Sequence, residues 1–198
     1  MRKLSLQNDG IEACCEAASK ILAAGGLVAG PTDTLYGIFA AWDDQRAVDR
    51  LYALKGRDQE KRLLVLVSDR RMAEGVAGVP LPAALLHYWP GPLTAILPAG
   101  AHPFGWETQA VRFPDDDFSR GLARHLGKPV YAPSANHQGQ SPARTCEEAE
   151  GMFGDKVDLY IDGGPARTDA PSTIISLAGD APVLVRQGII EVTIEDFA

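Results

Sequence analysis

Leu63-Leu64-Val65-Leu66-Val67 is an unbroken apolar run of strand length, and its reading sets the fold class. A strand with one wet face alternates apolar and polar residues. This run reads instead as a strand covered on both faces. Upstream, Asn8 or Asp9 can cap a helix through Ile11, Ala18, Ile21 and Leu22 that Gly25-Gly26 ends. Leu27-Val28-Ala29 follows as a short strand, then a loop from Gly30 to Gly37. Asp43 or Asp44 caps a second helix, with Ala47, Val48, Leu51 and Leu54 at helical spacing and Gly56 as its stop. Downstream come helical patterns near 70–77 and 81–89, then strands over Leu93–Leu97 and Ala110–Pro114. A helix over Asp117–Leu126 leads into strand-like Pro129–Ala132. Thr145 and Glu148 form a capping-box pattern for a helix to about Phe153. Leu159–Ile161, Thr173–Leu177 and Val183–Arg186 read as closing strands. Helices alternate with strands before strands dominate, which predicts an α/β domain with a mixed sheet.

The 198 residues fit one domain, and no linker or repeat divides them. The formal charge of −7 argues against a general nucleic-acid binder, which needs a basic face. Three cysteines, Cys14, Cys15 and Cys146, show no zinc spacing, and their low, odd number fits a reducing compartment. No apolar stretch approaches the ~20 residues of a membrane helix, and the N-terminus is not a signal peptide; cytoplasmic location is the expectation.

Polar pairs two residues apart recur in the loops: Thr32 with Thr34, Lys55 with Arg57, Ser134 with Asn136. In extended backbone each pair presents two groups to one side. Lys55-Gly56-Arg57 is either a basic helix end complementing the dipole or a phosphate clamp. Lys61-Arg62 put four cations within eight residues of an acidic chain, which favours the clamp. Pro31-Thr32-Asp33-Thr34-Leu35-Tyr36-Gly37 follows a strand, where α/β sheets place ligands, and equally reads as a braced turn. Pro133–Pro142 offers small hydroxyls and an amide for a nucleotide, or is a plain connector. Arg112 lies on a mostly apolar strand and needs a partner, either a ligand carboxylate or a structural acid; Arg186 poses the same question. No P-loop, GxGxxG, HExxH or GxSxG motif occurs.

Taken in order, several segments resemble the YrdC/Sua5 family, the threonylcarbamoyl-AMP synthases. They are Gly26–Gly37, Lys55-Gly56-Arg57, Trp89–Thr94, Val111–Pro114, Ala132–Asn136, Pro171–Ile175 and Val185–Gly188. The resemblance implies a twisted mixed sheet flanked by helices with a large concave cavity, and the short form with a single domain over 1–198. It implies that L-threonine, bicarbonate or CO2, and ATP with Mg²⁺ become threonylcarbamoyl-adenylate and pyrophosphate. The product would feed a separate tRNA threonylcarbamoyl transferase acting on adenosine-37, with tRNA itself a possible partner and no membrane involved. Carried over, Thr32, Arg112, Ala132 and Ser172 hold L-threonine. Arg57, Lys61, Thr108, Ser134, Asn136, Ser141 and Arg186 hold ATP, and Lys55 and Arg57 serve adenylation. No metal ligand is assigned. Asp58, Gln138 and Leu66 depart from residues common in the family. The competing readings are an RNA-binding module of the same fold, a carbamoyl transferase using carbamoyl-phosphate, and a hydrolase or regulator of adenylates.

Overall fold

The computed structural model describes residues 2–59 and 62–197. Lys61 lies outside these residues. Among them, ten strands form one mixed sheet: β1 (Lys3–Ser5), β2 (Val28–Gly30), β3 (Gly37–Ala41), β4 (Leu64–Leu66), β5 (Leu93–Pro98), β6 (Thr108–Arg112), β7 (Val130–Tyr131), β8 (Leu159–Asp162), β9 (Thr173–Ser176) and β10 (Val183–Arg186). Their order is β1-β8-β2-β3-β7-β4-β6-β5-β9-β10. β8 runs parallel to β1 and β2, β4 to β6, and β5 to β9. The remaining neighbours are antiparallel.

Among the described residues six α-helices accompany the sheet: α1 (Ile11–Ala23), α2 (Gln45–Lys55), α3 (Arg70–Ala77), α4 (Leu85–Tyr88), α5 (Asp117–Leu126) and α6 (Cys146–Phe153). Their ends follow capping chemistry. Asp44, Asp69, Asp116 and Thr145 each accept a backbone N–H of the first turn, and Gly56, Gly78 and Gly127 close helices in the left-handed region. Helix α1 differs from expectation. Gly10 stands at its N-cap without a side-chain bond, because Asp9 turns back to accept Ser5 N–H at 2.8 Å.

Strand alternation divides the apolar residues into two cores. On one face Val28, Phe39, Leu66, Val130, Leu159 and Ile161 pack with Cys14, Cys15, Ala18 and Leu22 of α1 and Phe118 and Leu122 of α5. On the other, Leu27, Ala29, Ile38, Val65, Val111 and Ile175 meet residues of α2, α3 and α6. Leu63–Val67 is therefore covered on both sides, as its composition requires. β3 lies in a stretch the sequence reading gives no strand, and its five residues are all buried in the sheet.

The α1/α5 face continues across β6, β5, β9 and β10, but there no described helix covers it. Thr94 and Ile96, Ala110 and Arg112, and Ile174 and Arg186 instead line a cavity of about 330 Å³. The loops 31–37 and 132–134 wall it in. The cavity thus lies over the sheet face rather than beyond the strand ends, where the sequence reading puts a ligand. Gly188 secures its outer edge: a Cβ there would lie 2.4 Å from Pro171 O and Thr173 N. Gly188→Ala should therefore cost about 1–3 kcal/mol of stability by overpacking, read as a lower midpoint in urea unfolding; an unchanged midpoint would contradict this packing.

Candidate functional site

The loop after β2 is built on hydroxyls. Thr32 Oγ1 donates to Leu35 O at 2.7 Å and accepts Thr34 N–H at 3.1 Å. With the Thr32 hydrogen committed, Thr34 Oγ1 is the donor in the 3.2 Å contact between the two hydroxyls. The 31–37 loop is stitched to the loop after β7 by Ile38 N to Pro133 O (3.0 Å) and Ala135 N to Tyr36 O (2.7 Å). Two distant segments thereby form one wall.

Arg112 sits at the cavity floor, 3% exposed. Its Nη2 lies 3.2 Å from Asp33 Oδ1, and the side chain of Asp33 is equally buried. Its guanidinium also reaches Thr34 Oγ1 at 3.3 Å and Thr32 Oγ1 at 3.4 Å; among the described residues neither its Nε nor Asp33 Oδ1 has a hydrogen-bond partner, so the Asp33 contact is one of charge. Asp33 is held from behind by Asp115 N–H at 3.2 Å. Of the two partners the sequence leaves open for Arg112, a structural acid is present. It does not exhaust the guanidinium's donors.

Next to Arg112, Ser172 Oγ and Thr94 Oγ1 are 2.8 Å apart. Arg186 donates to Ser172 O at 2.7 Å and approaches Ser172 Oγ at 3.4 Å. Burial, with the Arg112 charge adding to it, pulls the Arg186 pKa down. Burial does the same to Arg57. Among the described residues the lining holds four arginines (Arg57, Arg62, Arg112, Arg186) and no Asp or Glu. In a chain of net charge −7 that makes the cavity a local reversal of sign.

The structure brings together Thr32, Arg57, Thr108, Arg112, Ala132, Ser134, Ser172 and Arg186 in the lining of one cavity. Lys55, Asn136 and Ser141 are not among its lining residues. Gly56 takes φ 59°, so the chain reverses hand and Lys55 and Arg57 do not share a face. Lys55 is 2% exposed, and its Nζ donates to Ser134 O, to Asn136 O (2.8 Å) and to Asn136 Oδ1 (3.3 Å). It is a brace for the 134–136 loop rather than a clamp presented to the cavity. Asn136 likewise braces that loop, donating to His137 O and Gln140 O at 2.9 Å each. It also accepts Ser134 Oγ–H at 2.6 Å, which turns the Ser134 pair inward. Ser141 is exposed at the loop's far end.

The sequence reading assigns no ligand role to Thr94 or Arg62. Alternation was the available signal, since Thr94 and Ile96 alternate with buried Leu93, Ala95 and Leu97. No group of three or more His, Cys, Asp or Glu residues among the described residues could hold a metal ion.

A family profile described as "Telomere recombination", for Sua5, YciO and YrdC, matches residues 20–188. The threonylcarbamoyl-AMP synthase of Bacillus subtilis is 36% identical over 182 residues, covering 86% of this chain and 52% of that protein. The threonylcarbamoyl-AMP synthase of Idiomarina loihiensis is 34% identical over 161 residues, covering 76% of this chain and 87% of that one. The structure of P. abyssi Sua5 complexed with L-threonine superposes with a TM-score of 0.85 at 31% identity, over 94% of this chain and 57% of that chain. The chain spans about half the length of the Bacillus and Pyrococcus synthases it matches.

The brace formed by Lys55 is testable through pH. Burial pulls its ammonium down to about 7, and the Arg57 charge acts the same way. In the unfolded chain the group titrates near 10.5. Between these values the unfolded chain holds a proton that the folded chain has released, so this group adds stability as pH rises from about 7 toward 10. Lys55→Met removes that gain and takes the Lys55 donor from Asn136 O, at a cost of about 1–3 kcal/mol. Denaturant titrations should show the gap between wild type and Lys55→Met widening from pH 7 to 10; a gap that narrows would refute the assignment.

Proposed function

Because the chain belongs to the Sua5/YciO/YrdC family, we propose that it joins L-threonine, bicarbonate or CO2, and ATP into L-threonylcarbamoyl-adenylate with release of pyrophosphate. The product then serves threonylcarbamoylation of tRNA adenosine-37 through a separate transferase, in the cytoplasm. The observation that carries this reading is the cavity lining: among the described residues, four arginines and no carboxylate, with one arginine buried among hydroxyls at its floor.

Arg112 takes the threonine carboxylate. Asp33 keeps the guanidinium neutralised in the absence of substrate and aims its remaining donors. Thr32, Ser172 and the Ala132 backbone complete the amino-acid pocket. Thr32 Oγ1 spends its hydrogen on Leu35 O and accepts Thr34 N–H and the Thr34 hydroxyl hydrogen, so its part is to fix the wall of the pocket. Arg57, Arg186, Thr108 and Ser134 take the nucleotide. Lys61 is proposed for the nucleotide as well, while Lys55 and Asn136 act indirectly by holding the Ser134 loop.

The threonine ammonium releases a proton to solvent, the neutral amine attacks CO2, and a second proton leaves the nitrogen as the carbamate forms. A carbamate oxygen then attacks the α-phosphorus, and the bond to pyrophosphate breaks. Negative charge spreads over the phosphates during this step, and fixed guanidiniums stabilise it without reorganising. No carboxylate among the described lining residues would hold Mg²⁺, so the metal is proposed to enter with ATP. The chain's acidity argues against the RNA-binding reading.

Pyrophosphate release is the test of the reaction. It should require both L-threonine and bicarbonate; release without either would overturn the proposal. Arg112→Lys keeps a charge beside Asp33 but loses the fork. It should raise the KM for threonine about 10- to 100-fold, the equivalent of one charge-assisted contact, with little change in Tm. A threonine KM that does not move would remove Arg112 from the pocket.

A further inference from the structure

The loop between β5 and β6 carries an aromatic stack that the proposed reaction leaves unused. We propose that Arg62, laid on the Trp106 ring, is a second phosphate-binding residue acting beside Arg57; this rests on the reading of the cavity as a nucleotide site. Arg62 lines the cavity, and its guanidinium carbon lies 4.3 Å from the Trp106 ring centroid. Its carbonyl accepts Arg57 Nη2–H at 3.0 Å, so the two arginines are tied through the backbone. Arg62 precedes Leu64 by two residues, the spacing that keeps both on one side of an extended chain, and Leu64 also lines the cavity.

The mount under Arg62 is rigid for identifiable reasons. Trp106 stacks on His102, with centroids 4.6 Å apart and planes 18° from parallel. His102 Nδ1 accepts Phe104 N–H at 3.1 Å, and its Nε2 lies 3.1 Å from Gln109 Oε1. The Gln109 amide nitrogen donates to Leu63 O (2.6 Å) and Ala110 O (2.8 Å), which leaves Oε1 as an acceptor and makes His102 Nε2 the donor. Gln109 is fully buried in β6, so the stack is anchored in the sheet. Trp42 at 4.6 Å from His102 and Tyr131 at 6.0 Å from Trp106 pack around it.

An exposed arginine ordinarily samples many rotamers and loses that freedom when it binds. Stacking on an indole fixes the guanidinium while leaving its edge N–H groups for a phosphate. Arg57 and Arg62 together place two forked cations on one rim of the cavity. Phosphates of ATP and the departing pyrophosphate carry the charge that suits such a pair.

Calorimetric titration of wild type, Arg62→Gln, Trp106→Leu and Trp106→Phe with inorganic pyrophosphate and with ATP tests this. Arg62→Gln should weaken both ligands about 10- to 100-fold, the worth of one charge-assisted contact. Trp106→Leu should weaken pyrophosphate several-fold, and Trp106→Phe should restore it because a phenyl face still carries the cation. If wild type binds ATP and Arg62→Gln binds both ligands within twofold of it, the inference fails while the nucleotide reading stands. Trp106→Leu with wild-type pyrophosphate affinity would remove the mount. A wild type that binds neither ligand would overturn both the inference and the reading it rests on.

Discussion

A guanidinium buried in the face of a β-sheet has to be neutralised and hydrogen-bonded, and much of this site follows from meeting that demand at Arg112. Leaving such a charge unpaired costs several kcal/mol. Asp33 answers it from the loop after β2, and that loop must be held rigid for the pair to keep its geometry. The Thr32–Leu35 and Thr32–Thr34 bonds fix it internally, and the bonds to Pro133 and from Ala135 fix it to the next wall. Lys55 and Asn136 then hold that second wall from behind. The polar residues around the cavity form a chain of supports, each holding the one before it in place.

The second constraint is topological. Helices α1 and α5 cover one half of a sheet face, and the other half is left as a cavity floor. Strand alternation assigns the same strands to two tasks. In β6, Val111 is core while Ala110 and Arg112 face the cavity. In β5, Leu93, Ala95 and Leu97 are core while Thr94 and Ile96 face it. The site is therefore carried on strands, and only its walls are loops. That arrangement suits a reaction in which alignment and charge stabilisation do most of the work.

Much of this was legible in the sequence. Helix α5 falls on the residues its capping and periodicity mark, and the mixed α/β sheet follows from the order of elements. The cavity-lining residues among the motifs (Thr32, Arg57, Arg112, Ser134, Ser172, Arg186) could be named before their geometry was known. Four things were hidden. The i,i+2 pairing rule holds for extended chain only; it fails at Lys55–Arg57 because a helix end and a left-handed glycine intervene. Asp33 reads as a turn former, and nothing local reveals that its partner lies 79 residues downstream on β6. Strand β3 is a short, fully buried apolar stretch directly after a loop, without the alternation that marks a half-buried strand. The aromatic stack under Arg62 is a tertiary assembly of Trp42, His102, Trp106 and Tyr131, whose spacing along the chain carries no periodic signal.

The central claim is that the Arg112–Asp33 pair, neutral as a unit, recognises an amino-acid carboxylate at the floor of a cationic cavity. Calorimetric titration of the protein with L-threonine and with L-threoninamide tests it most directly, because the amide keeps the ammonium and side chain and removes only the negative charge. The account predicts that L-threonine binds and that the amide binds at least tenfold more weakly, the loss of one charge-assisted contact. Equal affinity for the two would contradict it.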